Sequence, residues 1–258
     1  KTTQAVYEFI FEDVQTSVEL SKADLTDGKE LPGASLQVLD SNGTVVDEWI
    51  STEEPHMIRG LLVGETYTMV ETKPADGYTT AESIEFKVED TAEVQKHQML
   101  DDVTKVEISK TDVTDSKEIP GAKLTILDKD GKVVESWVSD KDPHMVEKLP
   151  VGTYTLREEQ APDGYLVAEE VSFEVKDTGE IQKVEMKDAR PTGKLILKKT
   201  DAEDGSPLAG AEFELRIKKS GKVVATLVTD EEGVATSGDI PIASYKDGKM
   251  KKEIEYIL

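Results

Sequence analysis

The sequence predicts an all-β protein: small immunoglobulin-like β-sandwich domains set in a row. Three observations carry this expectation: a repeat of 87–88 positions, period-two alternation of apolar residues within each copy, and turn residues at matching places.

The repeat is plain in the residues. Val18-Glu19-Leu20-Ser21-Lys22 returns as Val106-Glu107-Ile108-Ser109-Lys110, Leu31-Pro32-Gly33-Ala34 as Ile119-Pro120-Gly121-Ala122, and Pro55-His56-Met57 as Pro143-His144-Met145. Beyond Gly64 the first copy carries one extra residue, so Asp76-Gly77-Tyr78 matches Asp163-Gly164-Tyr165. A third copy opens at Leu195-Ile196-Leu197-Lys198-Lys199, continues through Leu208-Ala209-Gly210-Ala211 and stops at Leu258. Phe9-Ile10-Phe11-Glu12-Asp13 stands where Met99-Leu100-Asp101 stands before the second copy. These matches divide the chain into the last strand of an upstream domain (1–13), complete sandwiches at 14–102 and 103–189, and an incomplete one at 190–258. The connectors around Asp102 to Lys105 and Ala189 to Gly193 are short and not Gly/Ser-rich, which predicts semi-rigid joints.

Within a copy the elements follow in order. An alternating strand comes first, Val18 to Lys22 or Val106 to Lys110. Leu36 to Leu39 and Leu124 to Leu127 are next, turned by Asp40-Ser41-Asn42-Gly43 and Asp128-Lys129-Asp130-Gly131 into strands that begin at valines. Tyr67 to Glu71 and Tyr154 to Glu158 alternate again, and the copies close on Met99 to Asp101 and Val184 to Asp188. No long helical period occurs. The turn aspartates lack the correctly spaced bidentate Glu of a calcium loop.

Composition excludes whole classes of function. Lys plus Arg total 31 against 54 Asp plus Glu, a net charge of −23, which repels nucleic-acid phosphates and anionic membranes. No apolar run is long enough for a membrane-inserted helix, and Lys1-Thr2-Thr3-Gln4 begins no basic-then-apolar leader. Without cysteine there are no disulfides, thiolate metal sites or thiol nucleophiles. Any covalent staple for these lean domains must therefore use other chemistry.

Three charged residues fall on the wrong face. Residues i, i+2 and i+4 of a strand point the same way, so Val18 and Leu20 bring Lys22 inward, Tyr67 and Met69 bring Glu71, and Met99 brings Asp101. The second copy repeats the pattern with Lys110, Glu158 and Asp188. Buried isolated charges are costly, so such groups pair, neutralise or react. One reading is a buried ion-pair triad, or strand-end charges that reach water. The other is an intramolecular amide between the lysine and one carboxyl, with the second carboxyl as proton shuttle. Desolvation lowers a lysine pKa and raises a carboxyl pKa, giving the neutral pair that nucleophilic attack requires. Contact supplies effective concentration, and condensation removes both charges.

The strings Ser21-Lys22-Ala23-Asp24, Gly33-Ala34, Tyr67-Thr68-Met69-Val70-Glu71 and Pro74-Ala75-Asp76-Gly77-Tyr78 resemble the B-type repeats of the collagen adhesin, as do Tyr154-Thr155-Leu156-Arg157-Glu158 and Ala161-Pro162-Asp163-Gly164-Tyr165. These are the SpaA-like, prealbumin-like domains of Gram-positive surface proteins and pili. The resemblance implies Lys22–Asp101 and Lys110–Asp188 isopeptide bonds, with Glu71 and Glu158 catalytic and water as the leaving molecule. It makes Lys199 the reactive lysine of the third copy, without its Glu or last strand, and Asp13 the acceptor of an upstream domain. It further implies a stalk or spacer on a cell-wall-anchored, secreted protein, with neighbouring domains as partners, no cofactor, no metal, and no enzymatic turnover beyond one self-modification. The alternative is an adhesive module that binds a host extracellular protein or glycan. A long insertion or exposed aromatic patch in one repeat would favour that alternative.

Other features read more plainly. His56 and His144 lie beside prolines as loop residues rather than metal ligands, and Trp49 and Trp137 pack on the sheet. His97 points inward but matches Val184, so any chemistry there is not shared. Leu149-Pro150-Val151-Gly152-Thr153 reads as the turn before a strand.

Overall fold

The computed structural model describes residues 8–10 and 13–258, and among them there is no helix. Seven strands form the first repeat: β1 (Ser17–Asp24), β2 (Ser35–Leu39), β3 (Val45–Ile50), β4 (His56–Arg59), β5 (Thr66–Lys73), β6 (Ile84–Lys87) and β7 (Val94–Asp101). They make two sheets, ordered β4-β1-β7 and β3-β2-β5-β6. β1 pairs antiparallel with β4 but parallel with β7, so the first and last strands of the repeat lie side by side. Val18, Leu20, Leu36, Val38, Tyr67, Met69, Phe86 and Met99 fill the core, each from the inward parity of its strand.

The second repeat has the same order: β8 (Lys105–Asp112), β9 (Lys123–Leu127), β10 (Val133–Val138), β11 (His144–Glu147), β12 (Gly152–Gln160), β13 (Val171–Val175) and β14 (Ile181–Asp188), in sheets β11-β8-β14 and β10-β9-β12-β13. The third contains β15 (Thr192–Gly193), β16 (Ile196–Lys198), β17 (Glu212–Ile217), β18 (Val223–Val228), β19 (Val234–Thr236), β20 (Ile240–Pro241), β21 (Ala243–Lys246), β22 (Lys249–Glu253) and β23 (Tyr256–Ile257). Here β23 pairs with β17 as β5 pairs with β2. Between β19 and β23 lies a hairpin, β21–β22, turned at Asp247-Gly248 with both residues at positive φ, a feature the repeat comparison did not anticipate.

The expected hairpin turns are present. Gly43 (φ +80) donates its N–H to Asp40 O at 2.9 Å, and Asp40 Oδ1 accepts the amides of Asn42 and Thr44. Of residues 1–13, only 8–10 and 13 are described, and they are exposed and outside any strand. The remainder of that expected strand lies outside the described residues.

The histidines depart from the loop reading. His56 and His144 open strands β4 and β11, and His56 pairs in register with Leu20. Each ring stacks on its repeat's tryptophan, with centroids 4.2 Å apart for Trp49–His56 and 4.4 Å for Trp137–His144. Their Nε2 atoms bind Asp47 (2.9 Å) and Glu135 (2.6 Å). The proline precedes the strand rather than preventing it, because it stands just outside the ladder. His97 does face inward, stacked on Phe86 at 4.6 Å, and burial lowers its pKa.

By proximity the chain forms two compact units. One runs to Val106 and includes Val146–Gly152 and Val175–Gln182; the other comprises Glu107–Met145, Thr153–Glu174 and Lys183–Leu258.

Candidate cross-linking sites

In the first unit the alternation of three strands converges on one point. Lys22 from β1, Glu71 from β5 and Asp101 at the end of β7 are all buried, the lysine only 1% exposed. Lys22 Nζ lies 3.0 Å from Glu71 Oε1 and donates a hydrogen bond to Asp101 Oδ1. Parallel pairing explains the convergence: Lys22 sits opposite Met99, which brings Asp101, two residues on, beside the ammonium. Glu71 Oε2 accepts the Ala81 N–H at 2.7 Å, leaving Oε1 for the lysine. Glu71 Oε1 and Asp101 Oδ2 are buried without a hydrogen-bond partner, so the ammonium is close to Glu71 Oε1 but misaligned for a hydrogen bond.

The second unit repeats the constellation. Lys110 Nζ is 3.1 Å from Glu158 Oε1 and donates to Asp188 Oδ1, while Glu158 Oε2 accepts the Ala168 N–H at 2.7 Å. Glu158 Oε1 and Asp188 Oδ2 again have no hydrogen-bond partner. Burial drives both aspartates upward, the neighbouring glutamate adds to the rise, and the lysine opposes it only in part. Asp101 is raised to about 7 and Asp188 to about 6. Three ionisable groups thus share one buried site in each repeat, and burial disfavours the charged form of both aspartates.

Two further residues of the sequence reading stand apart. Lys199 is half-buried, and among the described residues no carboxylate forms an ion pair with it. With Tyr256 at the place of Tyr67, the position equivalent to Glu71 falls beyond Leu258. Asp13 is exposed.

Sequence reasoning missed the partners that hold these sites. The Tyr78 hydroxyl donates to Asp24 Oδ2 at 2.7 Å, and Tyr165 donates to Asp112 Oδ2 at 2.8 Å. A cation covers each ring, Lys148 at 4.8 Å and Arg190 at 4.6 Å from the centroid. The recurrence of Asp24 with Tyr78 as Asp112 with Tyr165 was a usable signal; the Ala81 and Ala168 amides left none, because every residue but proline carries one.

The SpaA prealbumin-like fold domain matches residues 16–102, 104–190 and 193–254. The chain belongs to this family. It is a tandem of three SpaA prealbumin-like domains, and among the described residues no helix is long and apolar enough to cross a membrane. Among solved structures it is similar to the Bacillus anthracis TIE protein, at 26% identity and a TM-score of 0.50, over 95% of this chain and 48% of that one. The chain therefore spans about half the length of that relative. It is also similar to a streptococcal ancillary pilin (20% identity, TM-score 0.34, 69% of this chain and 63% of that one) and to the shaft pilin SpaA of Lactobacillus rhamnosus GG (14%, 0.33, 69% and 98%). No curated protein matches the chain.

Proposed function

We propose that the chain is a structural stalk of a Gram-positive surface or pilus-like protein, each of its first two repeats locked by an autocatalytic isopeptide bond. The observation that carries the reading is the buried Lys–Glu–Asp constellation, built twice from the same strands. The Lys22 amine attacks Asp101 Cγ, forming the C–N bond; Glu71 takes one amine proton and passes it to the departing hydroxyl, and the C–O bond breaks with release of water. Lys110, Glu158 and Asp188 act in the same way. This is one event per repeat, so the protein is not a turnover enzyme.

The placement of the bond suits load bearing. Tension entering β1 at Ser17 and leaving after Asp101 would shear β1 against its parallel neighbour β7. An amide from Lys22 to Asp101 carries that tension directly and shields the intervening chain. The family's pilin relatives support a place on the cell surface, with wall anchoring and assembly with other subunits part of the same proposal.

The adhesive alternative draws on the β21–β22 insertion, peculiar to the third repeat. That hairpin is already engaged: Tyr245 O accepts the Gly164 N–H at 3.0 Å, and Asp247 accepts the Gln160 amide at 2.6 Å. Its contacts favour a spacer. Intact mass of the denatured protein tests the reading: it should lie two waters below the sequence mass, with Glu71→Gln and Glu158→Gln each restoring one. Full sequence mass in the unsubstituted protein would leave two buried ion-pair triads.

A further inference from the structure

Glu71 is aimed by a loop as well as by its strand. The Ala81 amide that holds Oε2 ends the segment Tyr78-Thr79-Thr80-Ala81, so whatever fixes that segment fixes the carboxylate. Thr79 anchors it locally, donating its N–H to Asp102 O at 2.9 Å. Two more anchors in the same compact unit come from the second repeat. Asp177 Oδ1 accepts the Thr80 N–H at 2.8 Å and Oδ2 accepts the Thr80 hydroxyl at 2.6 Å, one residue before Ala81.

Lys148 is the other anchor. Its Nζ lies 2.6 Å from the Tyr78 hydroxyl and 3.3 Å from Asp24 Oδ2. Its main chain comes so near Gly77 that a Cβ there would stand 2.4 Å from Lys148 O. Lys148 does this from a left-handed backbone (φ 63), which strains a residue that carries a side chain. The matching position of the first repeat is Gly60 (φ 77), where the conformation is unstrained. A lysine kept at a position that suits glycine points to a use for its side chain.

The second unit holds the equivalent loop by different chemistry. Tyr245 O accepts the Gly164 N–H, and a Cβ on Gly248 would stand 2.3 Å from Val167 Cγ2, one residue before the Ala168 amide that holds Glu158. Different residues of the following repeat thus converge on the same loop and the same glutamate.

Resting on the isopeptide reading, we propose that Asp177 is a positioning residue for the first repeat's bond. Docking of each following repeat orders the loop that aims the preceding repeat's glutamate, so closure of a bond is licensed by the arrival of its neighbour.

The test follows each bond separately in the full chain. Protein kept unfolded and unreacted in urea is diluted to start folding, quenched at intervals and digested, and the Lys22–Asp101 and Lys110–Asp188 peptide pairs are quantified. Asp177→Ala should slow the first bond roughly ten- to hundredfold, as small misplacements of a reacting group do, and leave the second unchanged. Asp177→Asn should restore the rate, since its carbonyl accepts the Thr80 N–H and its amide donates to the hydroxyl. Folding of the first repeat, followed by Trp49 fluorescence in a Trp137→Phe background, should be unaffected by Asp177→Ala. Normal closure of both bonds in Asp177→Ala, equal slowing of both, or slowing that merely tracks Trp49 recovery would overturn the proposal while leaving the bonds intact. Absence of either cross-link in the unsubstituted chain would instead remove the reading beneath it.

Discussion

Asp24 and Asp101 face each other in register across the parallel β1–β7 pair, yet their carboxyls are driven in opposite directions. Burial pushes Asp24 upward, but the Tyr78 hydroxyl, the Thr26 amide and the Lys148 ammonium outweigh it and hold the group at about 2. At Asp101 burial prevails, and the carboxyl rises to about 7. The difference lies in donors: Asp24 receives several, whereas Asp101 Oδ2 receives none.

Loss of the proposed Lys22–Asp101 cross-link should be expensive. Lys22→Met keeps the apolar stem volume but removes the nucleophile, so the first repeat loses a closed loop running from residue 22 to residue 101. By analogy with disulfides that loop is worth ~4–5 kcal/mol. Denaturant unfolding resolved by repeat should show this drop in the first repeat alone; unchanged stability would mean that no covalent loop had formed.

The same variant should acquire a pH dependence. In Lys22→Met the Asp101 carboxyl survives, buried and beside Glu71, without the lysine that opposed its rise. Its folded pKa then exceeds the unfolded value near 4. Stability is therefore whole below about pH 4 and falls as pH rises toward and beyond 7. Urea midpoints measured from pH 4 to 8 should decline steadily, and a flat profile would show that water solvates the carboxyl.

Acid should probe the other aspartate. Because the folded pKa of Asp24 is depressed to about 2, its stabilisation is present above pH ~4 and lost as pH falls toward 2. Tyr78→Phe removes the strongest of the depressing hydrogen bonds, so it should lower stability at pH 6 and flatten the loss between pH 4 and 2. Parallel acid profiles for the two proteins would contradict this assignment.

Two matched glycines should respond unequally. Gly164 (φ +94) has open space around an added Cβ, so Gly164→Ala should cost only backbone strain, about 1–2 kcal/mol. Gly77 (φ +86) carries the same strain and would also collide with the Lys148 main chain. Gly77→Ala should therefore destabilise more in thermal unfolding, and equal shifts would mean that Lys148 yields freely.

What the sequence determined by itself was the direction of each side chain. Strand parity depends only on local backbone, so the inward placement of Lys22, Glu71 and Asp101, and of their second-repeat counterparts, could be read from alternation with Val18, Met69 and Met99. The turns at Asp40–Gly43 and Asp128–Gly131 were legible for the same reason, since Asx side chains and glycine act within a few residues. The tertiary structure alone decided which strands are neighbours. It set β1 parallel to β7, gave one oxygen of Glu71 to the Ala81 amide, sent the Tyr78 hydroxyl to Asp24, and turned His56 onto Trp49 in a strand where a loop had been expected. Those contacts join residues far apart in the chain through groups that many positions carry, so local periodicity holds no record of them.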